Sequence, residues 1–84
     1  MQTAFMFKYY LDRIALIDRL IQIKGTGTPR QLAERLGISE RTLYETLSLM
    51  KERGAPIQYC RVRRSYFYAE TGSFSIKFTR ENAG

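Results

Sequence analysis

Histidine and tryptophan are absent from this chain of 84 residues, and Cys60 is its only cysteine. Without histidine the chain lacks the most common general base, the serine-histidine-aspartate triad and most zinc-binding arrangements. A single cysteine excludes an internal disulfide and a cysteine-rich zinc site, which fits a reducing cytosol. We therefore expect no enzymatic activity, no metal and no other cofactor.

Acidic residues and long apolar runs are also scarce. The chain has 8 acidic against 14 basic side chains, a net charge of +6. This balance favours a polyanionic partner, although it would also serve solubility alone. The apolar stretches 5–7 and 14–17 are too short to cross a bilayer, and no signal-peptide pattern is present. We expect a cytoplasmic protein that does not bind membranes.

The length predicts one domain over residues 1–84. At about this size, a single hydrophobic core is only just large enough to stabilise the fold. A partner subunit would bury more surface. A fused sensor domain would not fit this length, so we expect no small-molecule effector.

The segment between residues 28 and 37 has the pattern of a short capped helix over about 29–36. Thr28 and Gln31 can form a capping box around Pro29, which is tolerated at the first helical position. Gly37 can adopt the left-handed conformation that ends a helix. A tight turn then leads directly into another helix.

That second helix is predicted over about 40–53, with Ser39 as its N-cap. Leu43, Leu47 and Met50 recur at helical spacing, so the helix buries one stripe and leaves its polar side exposed. The two helices together form a helix-turn-helix, a unit that can insert a helix into the major groove of DNA.

A helix over about 7–24 precedes this unit, and residues 25–27 are expected to end it and form a linker. Its apolar residues make two stripes. The first consists of Tyr10, Leu11, Ile14, Ile17 and Ile21, and the second of Phe5, Tyr9, Leu16, Leu20 and Ile23. One helix-turn-helix can cover only one stripe. The second stripe meets either the C-terminal strands or a second copy of the chain, and we favour a homodimer.

The remainder of the chain changes to strand composition. Residues 57–69 predict a β-hairpin, and residues 73–79 alternate in a way that predicts a further half-buried strand. Residues 80–84 are expected to form a frayed tail. The predicted fold class is therefore α+β, a three-helix bundle containing a helix-turn-helix, followed by a hairpin and an extra C-terminal strand.

The tip of the predicted hairpin is strongly basic. It carries Arg61, Arg63, Arg64 and Ser65, which suit contacts with DNA phosphates or the minor groove. The alternative is a charged turn that is simply solvated.

Residues 32–44 resemble the L-A-x-x-L-G-(V/I)-S-x-R-T-(I/L)-x core of DeoR-like and biotin-repressor-like regulators, which are winged helix-turn-helix bacterial transcription regulators. Residues 54–57 match the G-x-P-I that leads into their wing. The resemblance covers roughly residues 14–69. It implies a recognition helix from Ser39 to about Arg53, a wing near residues 61–65, and sequence-specific binding of double-stranded DNA. Winged helices also serve as protein-docking modules, which is the alternative function.

Within this frame, specific side chains are expected at DNA. The recognition-helix residues are Ser39, Arg41, Thr42, Tyr44 and Glu45, and Arg30 of the preceding helix is expected at a phosphate. The recognition helix has three acidic and three basic residues, so it contributes no net attraction. Glu45 can accept a hydrogen bond from cytosine N4, pair with a neighbouring cation or face a protein. Tyr44 can instead pack over the wing.

Overall fold

The computed structural model of the chain describes residues 2–74 and 78–81, with side chains described for 7–74 and 81. The helices are α1 (Gln2–Gln22), α2 (Pro29–Leu36) and α3 (Glu40–Glu52). The strands are β1 (Ile57–Cys60), β2 (Ser65–Tyr68), β3 (Gly72–Phe74) and β4 (Phe78–Arg80). The β1–β2 hairpin is called the wing below, and residues 61–64 its tip. Three helices followed by strands confirm the predicted α+β class.

Helix α1 differs from its predicted range of 7–24 at both ends. It begins at residue 2 and its last helical residue is Gln22. Lys24 adopts a left-handed conformation with φ 55°, and the amide of Gly25 donates to the carbonyl of Leu20 at 2.9 Å. The prediction placed the end of the helix at residues 25–27, where glycine can adopt a left-handed conformation, but here lysine adopts it before the first glycine. None of the described helices has the length and apolar character that a bilayer crossing requires.

The caps of α2 and α3 are confirmed. The amide of Gln31 donates to the Thr28 hydroxyl at 3.2 Å, and the amide of Thr28 donates to the Gln31 side chain at 2.9 Å. Gly37 has φ 71°, and the Ser39 hydroxyl accepts from the amide of Thr42. Local side-chain chemistry therefore fixes both ends of the turn between the helices.

The core lies where the three helices meet the strands. It contains Ile14, Ile17, Ile21, Leu32, Ala33, Leu43, Leu47, Met50, Ala55, Ile57, Tyr66 and Phe74. The buried positions of α1 belong to the first predicted stripe, of which Tyr10 and Leu11 are half-buried. The inner stripes of α1 and α3 thus meet as their periodicity predicted.

The prediction of a single strand over residues 73–79 is wrong. The described residues form two strands, β3 and β4, which pair antiparallel with Phe74 opposite Phe78, and residues 75–77 lie outside the described residues. These two strands form their own sheet and do not extend the wing. Apolar residues alternate in the same way in one strand and in two short strands that follow each other, which explains the error.

The prediction of a frayed tail from residue 80 is wrong for residues 80 and 81. Arg80 belongs to β4 and lies opposite Gly72, and the amide of Glu81 donates to the carbonyl of Thr71 at 2.9 Å. The expectation for 82–84 falls outside the described residues. Backbone pairing therefore continues to the last residue that the structure describes.

Candidate nucleic-acid interface

The outward face of α3 presents the polar side chains expected at DNA. Arg41 and Glu45 are exposed, Tyr44 is 48% exposed and Thr42 is half-buried. The buried stripe on the opposite side of the helix holds this face outward. The Ser39 hydroxyl is engaged in the cap, where it also donates to the Thr42 hydroxyl oxygen at 3.1 Å.

The two helix arginines expected at DNA, Arg30 and Arg41, are each paired within their own helix. Arg41 Nε lies 3.4 Å from Glu45 Oε2, and Arg30 Nε lies 3.6 Å from Glu34 Oε2. The alternative in which Glu45 pairs with a neighbouring cation is therefore the arrangement in the structure. Exposed pairs of this kind are worth at most about 1 kcal/mol, so either arginine can exchange its carboxylate for a phosphate at small cost.

The wing tip presents its cations differently. Arg61, Arg63 and Arg64 are exposed, and no carboxylate among the described side chains lies within 4.0 Å of their guanidinium nitrogens. Arg64 has φ 52°, and the amide of Arg63 donates to Cys60 Sγ at 3.5 Å. The tip is therefore a cluster of cations without neutralising partners in the described structure.

The expectation that Ser65 shares this exposed tip is wrong. Ser65 begins β2 and is 1% exposed, because the first strand position turns its side chain toward the α1–α2 linker. Its hydroxyl accepts from the amide of Thr26 at 3.0 Å and donates to the carbonyl of Tyr66 at 2.9 Å. Ser65 therefore anchors the wing and is shielded from any phosphate.

Thr26 is a position that supports the wing and that the sequence did not reveal. It is fully buried, and its hydroxyl oxygen accepts from the amide of Tyr66 at 2.9 Å while donating to the carbonyl of Gly27 at 2.8 Å. A threonine between two glycines carries no periodicity that would report its burial. The linker and the start of β2 are joined through this one side chain and Ser65.

Asp18 is a second missed position, and here a signal existed. This carboxylate is 9% exposed, accepts from the Tyr68 hydroxyl at 2.7 Å and from the amide of Phe74 at 2.9 Å through Oδ1, and from Gln22 through Oδ2. It follows Ile17 inside the buried stripe of α1, a place where an acid must be hydrogen-bonded. Burial, followed by the bond to Asp18, raises the pKa of the Tyr68 phenol far above its ordinary value.

Two tyrosines of the wing pack against each other. Tyr66 of β2 packs edge-to-face on Tyr59 with ring centroids 5.0 Å apart. Burial raises the pKa of Tyr66 to about 12, and Tyr44, Tyr59 and Glu40 add smaller electrostatic contributions in that order. Tyr66 of the wing therefore lies within electrostatic range of α3.

Comparison with known proteins identifies this arrangement. A protein-family model described as an HTH domain matches residues 13–61, more than half of the chain. The chain belongs to this winged helix-turn-helix DNA-binding family. The match runs from the middle of α1 through β1 and confirms the family resemblance of the sequence. Searches for curated proteins and for solved structures returned no match.

The winged helix has a partly apolar outer face on α1. Tyr9, Leu16 and Ile23 are between 41% and 66% exposed, and the Arg13 guanidinium lies 5.5 Å from the centroid of the Tyr9 ring. Leu20, expected on the same face, instead packs partly buried against the core. The side chain of Phe5 lies outside the described residues. Three of the five residues expected at a dimer interface are thus exposed together.

Proposed function

We propose that this winged helix binds a specific sequence of double-stranded DNA and acts in transcription regulation. The single observation that carries the proposal is the wing tip, where three exposed guanidinium groups lack carboxylate partners among the described side chains. Phosphates are the ligands that such a cluster prefers, and they supply most of the affinity in protein–DNA binding.

In this proposal the recognition helix and the wing have separate roles. Arg41, Thr42, Tyr44 and Glu45 face base edges in the major groove, where Glu45 accepts from cytosine N4. Arg30 exchanges Glu34 for a phosphate. Because Arg41 and Glu45 of α3 are paired, this helix reads bases but attracts DNA only weakly. The wing supplies the electrostatic attraction.

The proposal includes a homodimer formed through α1. Exposed apolar residues repeat every seven positions at Tyr9, Leu16 and Ile23, the spacing at which helices pack side by side. A two-fold dimer would place two recognition helices on one face of the duplex, with half-sites one helical turn apart. Docking on another protein is the second candidate function, favoured by the neutral charge and half-exposed Tyr44 of α3.

Selection of random duplexes by the purified protein, at two salt concentrations, tests these alternatives. We expect a repeated half-site at helical-turn spacing and binding that weakens steeply as salt rises. Light scattering on the same sample should give twice the mass of one chain. Failure to bind any duplex at either salt concentration would contradict DNA binding and favour the docking function.

A separate variant tests the proposed dimer. Ile23→Lys places a charge on the most exposed of the three residues Tyr9, Leu16 and Ile23, directly after the end of α1, and should give a monomer that still selects a single half-site. Lys8→Gln, on α1, is the matched control and should stay dimeric. A dimeric Ile23→Lys variant would contradict the proposed α1 interface and leave the DNA proposal intact.

A further inference from the structure

The wing tip has a composition that turn formation alone does not favour. Tight hairpin turns prefer glycine, asparagine and aspartate, whereas residues 61–64 are Arg-Val-Arg-Arg. Val62 is β-branched and 94% exposed, so it gains nothing from the core. Arg64 adopts φ 52°, a left-handed conformation that side chains other than glycine rarely take. Unfavourable residues held in place at an exposed apex indicate a functional site.

The support beneath this tip is fixed. Cys60 and Ser65 are paired across the last rung of the wing, directly below the tip. Ser65 is bonded to Thr26 of the α1–α2 linker, and Tyr68 at the other end of β2 is bonded to Asp18 of α1. Both ends of β2 are therefore hydrogen-bonded to residues outside the wing. These bonds hold the tip in place when it meets a ligand.

One apolar side chain among three cations fits a particular ligand. Arginines bind the phosphates that flank a groove, and apolar side chains of minor-groove proteins insert between base steps and bend the duplex. We propose that Val62 is such a wedge, entering the minor groove of the bound DNA and bending it while the flanking arginines hold the phosphates. This inference rests on the proposed DNA binding and adds deformation of the DNA to it.

A consequence follows for sequence preference. Pyrimidine–purine steps are easily kinked, whereas A-tracts are stiff, so the wing should favour a flexible step at the position it occupies. Because this preference depends on deformation, it needs no hydrogen bond to a base. It would add specificity to a recognition helix on which Arg41 and Glu45 are already paired with each other.

The test uses the full chain and the duplex recovered by selection, labelled at both ends for energy transfer. Binding of the unchanged protein should shorten the distance between the ends. Val62→Ala should bind without shortening it, whereas Val62→Ile, which keeps the wedge, should bend the DNA as the unchanged protein does. Replacing a flexible step at the wing position by an A-tract should weaken the unchanged protein about tenfold and leave Val62→Ala unaffected.

The outcomes distinguish a failure of the proposed Val62 wedge from a failure of the proposed DNA binding. If Val62→Ala bends the duplex as fully as the unchanged protein, or if the unchanged protein binds without bending, the wedge is overturned while DNA binding stands. If the unchanged protein binds no duplex, the proposed function itself has failed. Because Val62 is almost fully exposed, neither variant should alter folding, which circular dichroism on the same samples checks.

Discussion

The recognition helix α3 and the wing are held in place differently. Leu43, Leu47 and Met50 fix α3 through apolar burial, since each is at most 3% exposed. Ile57 and Tyr66 of the wing are buried in the same core, but the wing is also tied to α1 and to the following linker by hydrogen bonds, Asp18 with Tyr68 and Thr26 with Ser65. A hydrogen bond requires a particular geometry of donor and acceptor. These bonds therefore fix the orientation of the wing in addition to its apolar packing.

The two elements also differ in how they present charge. Arg41 on α3 has a carboxylate 3.4 Å away, whereas the arginines of the wing tip have none among the described side chains. In the proposed function the wing attracts DNA and α3 reads its sequence. Unpaired cations bind any phosphate, whereas a paired, oriented carboxylate can discriminate bases. Four measurements test the comparison, in decreasing order of expected effect.

The largest effect is expected from Asp18→Ala. Two buried donors, the Tyr68 hydroxyl and the amide of Phe74, would lose their acceptor, which should lower the free energy of unfolding by roughly 2–4 kcal/mol. Urea unfolding measures this change. Asp12→Ala removes an exposed carboxylate from the same helix and should change stability by less than about 0.5 kcal/mol. Equal effects of the two variants would contradict the polar anchoring of the wing.

The wing cations come next. Arg63→Gln with Arg64→Asn removes two charges while asparagine tolerates the left-handed conformation at residue 64. Affinity for every duplex should fall roughly tenfold to hundredfold at about 0.1 M salt, and the salt slope should flatten by up to ~2 units. The control, Lys8→Gln with Arg19→Gln, removes two exposed cations of α1 to which no DNA contact is assigned. If the control flattens the salt slope as much, the wing tip has no special role in binding phosphates.

A smaller and sequence-dependent effect is expected from Glu45→Gln. This variant should lose about tenfold of discrimination at one base pair, because the amide also offers a donor where cytosine supplies one. Affinity for unrelated duplexes should stay the same or rise slightly as Arg41 loses its partner. Glu34→Gln breaks the matching pair on α2 and serves as the control. An unchanged preferred site for Glu45→Gln would remove Glu45 from base reading.

The smallest effect concerns alkaline pH. Burial raises the pKa of Tyr66 to about 12 from the ordinary 10.0. The folded protein then holds this proton more tightly than the unfolded chain, so the contribution to stability is complete below pH 10 and is lost as pH rises toward 12. Phenolate absorbance should show late-titrating tyrosines, and Tyr68→Phe should remove one of them. Full ionisation of all tyrosines in the folded protein near pH 10 would contradict the buried wing.

The parts of the fold that followed from sequence depend on local interactions. Helices α2 and α3 begin where predicted because Thr28, Gln31 and Ser39 bond to amides within three residues of themselves. Exposure of Arg30, Arg41 and Glu45 followed from the apolar stripes, since residues opposite a buried stripe face the solvent. Their roles at DNA stay predictions.

The positions that sequence missed depend on partners far along the chain. Ser65 was expected at an exposed tip, but its partner Thr26 lies 39 residues earlier. Asp18 binds groups 50 and 56 residues later. No local periodicity encodes such separations, although an acid inside the buried stripe of α1 was a sign that a partner had to exist.

By itself, the sequence determined the helix-turn-helix, because caps, left-handed glycine and helical stripes act over three or four residues, the same distance as the hydrogen bonds they control. Only the tertiary structure decided how the wing is attached, which serine is buried, and which cations lack partners. Those properties depend on which distant groups meet, and that is settled when the core closes and buried polar groups must find one another.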